Sequence, residues 1–228
     1  MEEVNVPELE PRVEHIYSLE IQSLDHDVIE MASRAEAMIG NAVDALVRAD
    51  AELAEAVMLA DDEVDQLDED IEMRCLRMLS LGSPIGSDLR LVGATIKMIT
   101  DIERVADLAV DIAACAKELE KEMVDGHLVD VRQISMLARK MFREAIEAYV
   151  QLDLSRVESV RSTEEMVDAL NREFRRQLHD SMRNSPDTVV AASWTLMAVA
   201  NVERIADHAL NIAERVEMLI ENELGRTL

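Results

Sequence analysis

Thr100-Asp-Ile-Glu-Arg-Val-Ala-Asp-Leu-Ala-Val-Asp-Ile-Ala113 returns, almost unchanged, as Ala200-Asn-Val-Glu-Arg-Ile-Ala-Asp-His-Ala-Leu-Asn-Ile-Ala213, 100 positions later. The chain is therefore a duplicated helical unit. Outward from this core, Ala42-Val-Asp-Ala-Leu-Val-Arg-Ala-Asp50 maps onto Ala145-Ile-Glu-Ala-Tyr-Val-Gln-Leu-Asp153, and Val64-Asp-Gln-Leu-Asp68 onto Val167-Asp-Ala-Leu-Asn171, both at an offset of 103. The offset shrinks to 100 across the connection ahead of Ser185-Pro186, where a change of length is tolerated.

Composition agrees with helices. The 228 residues include 6 Gly and 4 Pro, and aromatics make up 2%, whereas sheets favour aromatic and β-branched residues. We therefore expect an all-α protein, with an N-terminal arm over 1–17 and three-helix units over 18–125 and 126–228. In the first unit Ile21, Leu24, Val28, Met31, Ala35, Met38, Ala42, Ala45 and Leu46 form one amphipathic stripe from about Ser18 to Ala49. Asp50 can cap a second helix reaching about Ser80. Ser83 and Pro84 suit the N-cap and first residue of a third helix of nearly forty residues, ending near Asp125-Gly126. In the second unit, Ser155 with Glu158 reads as a capping box for the fifth helix. Gly93, Ala94, Ala106, Ala109, Ala113 and their counterparts from Ala191 to Ala209 favour close packing of the third and sixth helices, the two units lying side by side or as one extended bundle.

The net charge of −25 excludes a basic stripe for nucleic acid and opposes adhesion to anionic lipid. No run of about 18 apolar residues is evident for membrane insertion. The N-terminus lacks the basic flank and apolar stretch of a signal peptide, so a cytoplasmic protein is expected. Cys75 and Cys115 lack CxxC spacing and read as buried free thiols. No nucleophile elbow, phosphate loop, HExxH or Glu-x-x-His pair is present, which points away from catalysis.

Acids four apart on a helix lie on one face, about 5–6 Å from each other. With 48 acids, about ten such pairs arise by chance, and most are solvated. Correlation between the halves is more informative. Asp61/Asp65 maps at offset 103 onto Glu164/Asp168, and Glu103/Asp107 at offset 100 onto Glu203/Asp207. Such repulsion calls for cations, with Arg104 and Arg204 as internal candidates. Metal ions are the alternative: all-oxygen ligation suits hard ions such as Fe³⁺, Mn²⁺, Mg²⁺ or Ca²⁺, with Zn²⁺ or Ni²⁺ able to substitute. His15, His26, His127 and His179 do not repeat between halves, and His208 points away from Asp207; surface or hydrogen-bonded histidines are expected.

These features resemble the PhoU family. The resemblance is carried by Val64-Asp-Gln-Leu-Asp-Glu-Asp-Ile71, Ser83-Pro-Ile-Gly-Ser-Asp-Leu-Arg-Leu-Val92, Asp101-Ile-Glu-Arg-Val-Ala-Asp107 and Val202-Glu-Arg-Ile-Ala-Asp207, and spans about residues 18 to 222. It implies two tandem three-helix bundles, each with two E/DxxxD motifs able to hold a multinuclear metal cluster, iron in some members. By position the ligands are Asp61, Asp65, Glu103 and Asp107 in one bundle and Glu164, Asp168, Glu203 and Asp207 in the other. Where the family usually has Gly in Glu-Arg-Ile-Gly-Asp, this chain has Ala106 and Ala206. Asp68, Asp101 and Asp111 become Asn171, Asn201 and Asn211, so the first site is expected to bind metal more tightly.

The resemblance further implies a negative regulator of phosphate uptake and phosphate-starvation signalling, with a sensor histidine kinase and the ATPase subunit of a Pst-type ABC transporter as partners. An acidic body could meet basic surfaces on both, and a homodimer is compatible with the sequence. Competing expectations are a metal-storage bundle and a metal-free structural adaptor.

Overall fold

The computed structural model describes the backbone of residues 10–82, 86–122 and 128–224, and side chains over 20–80, 86–122 and 128–221. Among these the chain is all-α: α1 (Glu10–Arg48), α2 (Ala51–Gly82), α3 (Ser87–Glu120), α4 (Val131–Gln151), α5 (Leu154–Asn184) and α6 (Val189–Leu224). Helix α1 begins earlier than its apolar stripe, within the expected arm; Pro11 falls in the first turn, where it removes no helical hydrogen bond. Ser83 and Pro84 lie outside the described residues. Helix α3 starts at Ser87 behind Gly86, whose φ of 66° suits a residue without a Cβ, and it ends at Glu120, short of the expected Asp125.

The duplication is visible at the caps. Asp50 accepts from the Leu53 N–H at the start of α2, and Asp153 accepts from the Ser155 N–H at the start of α5. The expected capping box of Ser155 and Glu158 does not form the cap, because Asp153 precedes it and takes both the Ser155 N–H and its hydroxyl. Just before each cap stands a left-handed residue, Ala49 (φ 49°) or Leu152 (φ 50°). The chain closes there with Asp50 N–H to Ala45 O and Asp153 N–H to Ala148 O, the reverse turn that satisfies the last helical carbonyls. Ser185 is extended, and Pro186–Thr188 forms a 3₁₀ turn before α6.

Helices α1–α3 make one bundle and α4–α6 the other, side by side, with α3 against α6 and α1 against α4 across the seam. Ala106, Ala109, Ala113, Ala198, Ala206 and Ala209 are all buried, as the stripe predicts. Gly93 behaves differently. A Cβ there would meet nothing within 4 Å, and Gly93 and Ala94 instead line an open groove beside α6. The tight approach occurs at Gly40 of α1, where a Cβ would lie 3.2 Å from the Arg139 guanidinium of α4. Arg139 and Arg143 both reach Glu36 at 3.3 and 3.4 Å.

Deeper in the seam, the Tyr149 hydroxyl donates to Asp25 Oδ1 at 2.8 Å and lies 3.1 Å from the Thr95 hydroxyl, tying α4 to α1 and α3. Cys75 and Cys115 are buried free thiols, pushed by desolvation up to about 11 and about 12. Among the described residues α6 is the one helix long and apolar enough to cross a bilayer, which the sequence analysis did not anticipate. Half of that window is buried inside the protein, and Ala198, Val202, Ile205, Ile212 and Val216 belong to the core.

Candidate metal centre

The acids sit beside the core stripe of their helices. In α3, Ile102, Val105 and Ala106 are buried, which leaves Glu103 and Asp107 half-buried along the groove towards α2. In α2, Val64 anchors the stripe, with Asp61 half-buried and Asp65 exposed. The second bundle repeats the arrangement around buried Val167, Val202 and Ile205: Glu164, Asp168 and Glu203 are half-buried and Asp207 is exposed.

The eight predicted residues gather into two groups of four, one per bundle, as their mutual effects show. Desolvation raises the Asp61 carboxyl to about 6, helped by repulsion from Asp65 on its own helix and Asp107 across the groove. Glu103 is raised by burial and then by Asp107, with Asp68 and Asp65 adding from α2, although Arg104 opposes them. In the second bundle Glu164 is raised by burial, Asp168 and Asp207, while Glu203 is raised by burial, Asp207 and Asp168. Asp207 is raised by burial against the opposing charges of His208 and Arg204. Each quartet concentrates negative charge beyond what its side chains neutralise.

Internal counterions are unequal. Arg104 contacts Asp107 at 2.6 Å and Glu103 at 3.4 Å, as expected. Arg204 instead donates to Asn201 Oδ1 at 3.5 Å, and Asp168 is met by Arg172 at 3.2 Å.

Orphaned oxygens test whether these residues suit a metal. Asp61 Oδ1, Asp68 Oδ1 and Asn171 Oδ1 are buried without any hydrogen-bond partner, a cost of roughly 1–3 kcal/mol each. All three belong to the two acidic grooves, and Asp68 and Asn171 occupy equivalent positions. An oxygen-seeking cation would satisfy both the lone pairs and the excess charge. Among the described residues no three acidic, histidine or cysteine side chains stand close enough together to hold one metal ion. The donor set fits hard metal ions, and closure around them would need side-chain rotation.

Of the three acid-to-amide differences between the halves, only Asp68 and Asn171 border these grooves through an orphaned oxygen. Asp101 points elsewhere. It is 6% exposed, and it meets His208 Nδ1 at 2.9 Å and Arg215 Nε and Nη2 at 3.0 and 2.9 Å. Burial would raise its pKa, but the hydrogen bonds from His208 and Arg215 prevail and hold it below the usual carboxylate range. At the mirrored place Asn201 is buried, with Leu108 and Cys115 at the positions equivalent to His208 and Arg215. Sequence analysis missed this cluster, although Asp101 stands on the stripe of Met98, Ile102 and Val105, where an inward acid demands a partner.

Comparison with known proteins matches the same layout. A family model described as "PhoU domain" matches residues 28–116 and again 131–216, each segment holding one acidic quartet. The chain is 32% identical to the phosphate-specific transport system accessory protein PhoU homolog of Pseudomonas aeruginosa over 219 residues, covering 95% of this chain and 90% of that one. The homolog of Aquifex aeolicus is 33% identical over 185 residues, 81% of this chain and 84% of its own. Crystal structures of PhoU from Pseudomonas aeruginosa (TM-score 0.86, 32% identity, 90% and 99% of the two chains) and of the phosphate transport system regulatory protein PhoU from Streptococcus pneumoniae (TM-score 0.82, 25% identity, 89% and 96%) share the architecture. With two domain copies, one in each bundle, the chain belongs to the PhoU family.

Proposed function

We propose that this chain is a non-catalytic regulator of phosphate uptake and phosphate-starvation signalling, restraining a Pst-type transporter through its ATPase subunit and its sensor histidine kinase when phosphate is plentiful. Metal ions, iron foremost, bind between α2 and α3 through Asp61, Asp65, Glu103 and Asp107, and between α5 and α6 through Glu164, Asp168, Glu203 and Asp207. The names of the relatives support the role, since they are accessory proteins of phosphate-specific transport systems. The single observation behind the metal reading is that the buried, unpartnered carboxyl and amide oxygens of Asp61, Asp68 and Asn171 all lie in the acidic grooves. A cation there would bind α2 to α3 and α5 to α6, so its presence would favour one helix arrangement for a partner to read.

The test combines elemental analysis with capture. Protein purified without chelator should carry metal, and Asp107→Ala with Asp207→Ala should lose most of it. The metal-loaded form should retain the kinase and the ATPase subunit more strongly at high phosphate. Metal-free wild type would overturn the metal sites, and partner binding indifferent to phosphate would overturn the regulatory role, leaving a metal-holding bundle.

A further inference from the structure

On the α6 side of α3, away from the acidic grooves, Arg90, Gly93, Ala94 and Lys97 face Arg215, Met218 and Leu219 across a groove of about 320 Å³. This volume equals roughly ten waters, room for one or two side chains. The floor is apolar and the rim is cationic. That combination is unexpected in a chain with 48 acids against 23 lysines and arginines. Most other arginines are paired with carboxylates, for example Arg34, Arg74, Arg156 and Arg161. Arg90 and Lys97 make no ion pair among the described residues, and Arg90 Nη2 is buried without a hydrogen-bond partner.

The duplication supplies an internal control. At the positions equivalent to Arg90 and Lys97 the second half carries Val190 and Met197, both exposed. The fold therefore does not require cations at this place. Two cations left without an ion pair where the other half carries apolar residues, on a chain rich in acids, point to an acidic group from outside the chain.

We propose that this groove docks a segment of a partner protein, an amphipathic helix presenting a carboxylate beside bulky apolar side chains. The carboxylate meets Arg90 and Lys97, and the apolar neighbour covers Gly93, Ala94 and Leu219. An inorganic anion fits less well, because the floor offers no donors and the cations stand only at the rim. Arg215, which also lines the groove, keeps its bond to Asp101. The contact is of the helix-in-groove kind, in which apolar anchors give affinity and the charge gives selectivity.

Fluorescence anisotropy on the full chain tests this with a labelled peptide of about 15 residues, built of Ala and Leu with two Glu on the apolar face, against its Glu→Gln counterpart. The acidic peptide should bind about tenfold more tightly than the amide one. Arg90→Val with Lys97→Met, which copies the second half, should erase that difference while circular dichroism and Tm show an intact fold. Lys97→Met alone, at an exposed position, should reduce it in part. Equal binding of the two peptides, no saturable binding, or an unchanged preference in the double variant would overturn the proposal. Displacement by inorganic phosphate beyond that by sodium chloride of equal ionic strength would make it a small-anion site instead. A dimer of wild type in sedimentation that the double variant abolishes would assign the groove to a second copy, and would equally overturn it.

Discussion

Asp68 and Asn171 stand at the same position of the two bundles, 103 residues apart, and each buries a side-chain oxygen that has no hydrogen-bond partner. One is an acid and the other an amide. Burial and the neighbouring Glu72, Asp65 and Glu69 raise the Asp68 carboxyl, so it adds to the field of the first quartet, while Asn171 contributes a neutral carbonyl to the second. The first groove is expected to hold metal about tenfold more tightly. Asp68→Asn should bring the two affinities together and Asn171→Asp should raise the second, as read by calorimetric titration with Mn²⁺. Equal occupancy that neither substitution disturbs would refute the ordering.

Asp61 links the groove to pH. Its folded pKa, about 6, lies above the unfolded value near 3.9. Protonation therefore favours the fold, and that advantage is full below about pH 3.9 and lost as pH rises through about 6. Metal-free Asp61→Asn should be more stable than wild type at pH 7 by about 1 kcal/mol, a figure reduced for solvent screening, and should match it near pH 4. Denaturant titration at both values measures the difference. Saturating Mn²⁺ should reverse the order at pH 7, since the amide is the poorer ligand. Loss of stability in the metal-free variant at pH 7 would contradict the crowding of negative charge.

Asp101 is held by His208 and Arg215 across the seam. Asp101→Asn leaves two donors facing an amide and should cost about 2–4 kcal/mol in urea unfolding. Adding His208→Leu and Arg215→Cys writes in the residues found at the mirrored place, Leu108 and Cys115. This triple variant should recover at least half of the loss, because a matched apolar contact replaces a broken ionic one. A triple variant no better than the single would show that the two sides of the seam are packed differently.

Ala49 and Leu152 adopt left-handed backbone with φ of 49° and 50°. A Cβ in that region costs roughly 1 kcal/mol. Ala49→Gly, which gives up only a methyl group, should stabilise the chain by about 0.5 kcal/mol. Leu152→Gly should be close to neutral, because Leu152 is 45% exposed and the burial lost with its side chain offsets the strain relieved. Thermal unfolding decides the sign.

Much of the architecture was legible because duplication doubles every signal. The buried stripe of α1 and the Asp50 cap follow from spacing checked against a second copy, and the same check is what pairs the acids of the two halves. The same mapping contained the correct cap of α5, since Asp50 aligns with Asp153, yet the local Ser155 and Glu158 pattern read as the stronger motif. A local motif competes with its neighbours for the same N–H group, and here Asp153 wins by position. The Asp101 cluster and the Arg90 groove were not legible for a different reason. Helical periodicity says which residues face inward but not which helix of the other bundle they meet, and Asp101, His208 and Arg215 are distant in sequence.

The seam bond also dictates what each half could be alone. Two copies of the first half would set each Asp101 against the Leu108 and Cys115 of its mate with no base in reach, and two copies of the second would set each His208 and Arg215 against Asn201 with no acid. Neither half can substitute for its sibling in this contact, so the pseudo-symmetric seam locks in one direction, and an excised bundle finds its matching surface on the other bundle.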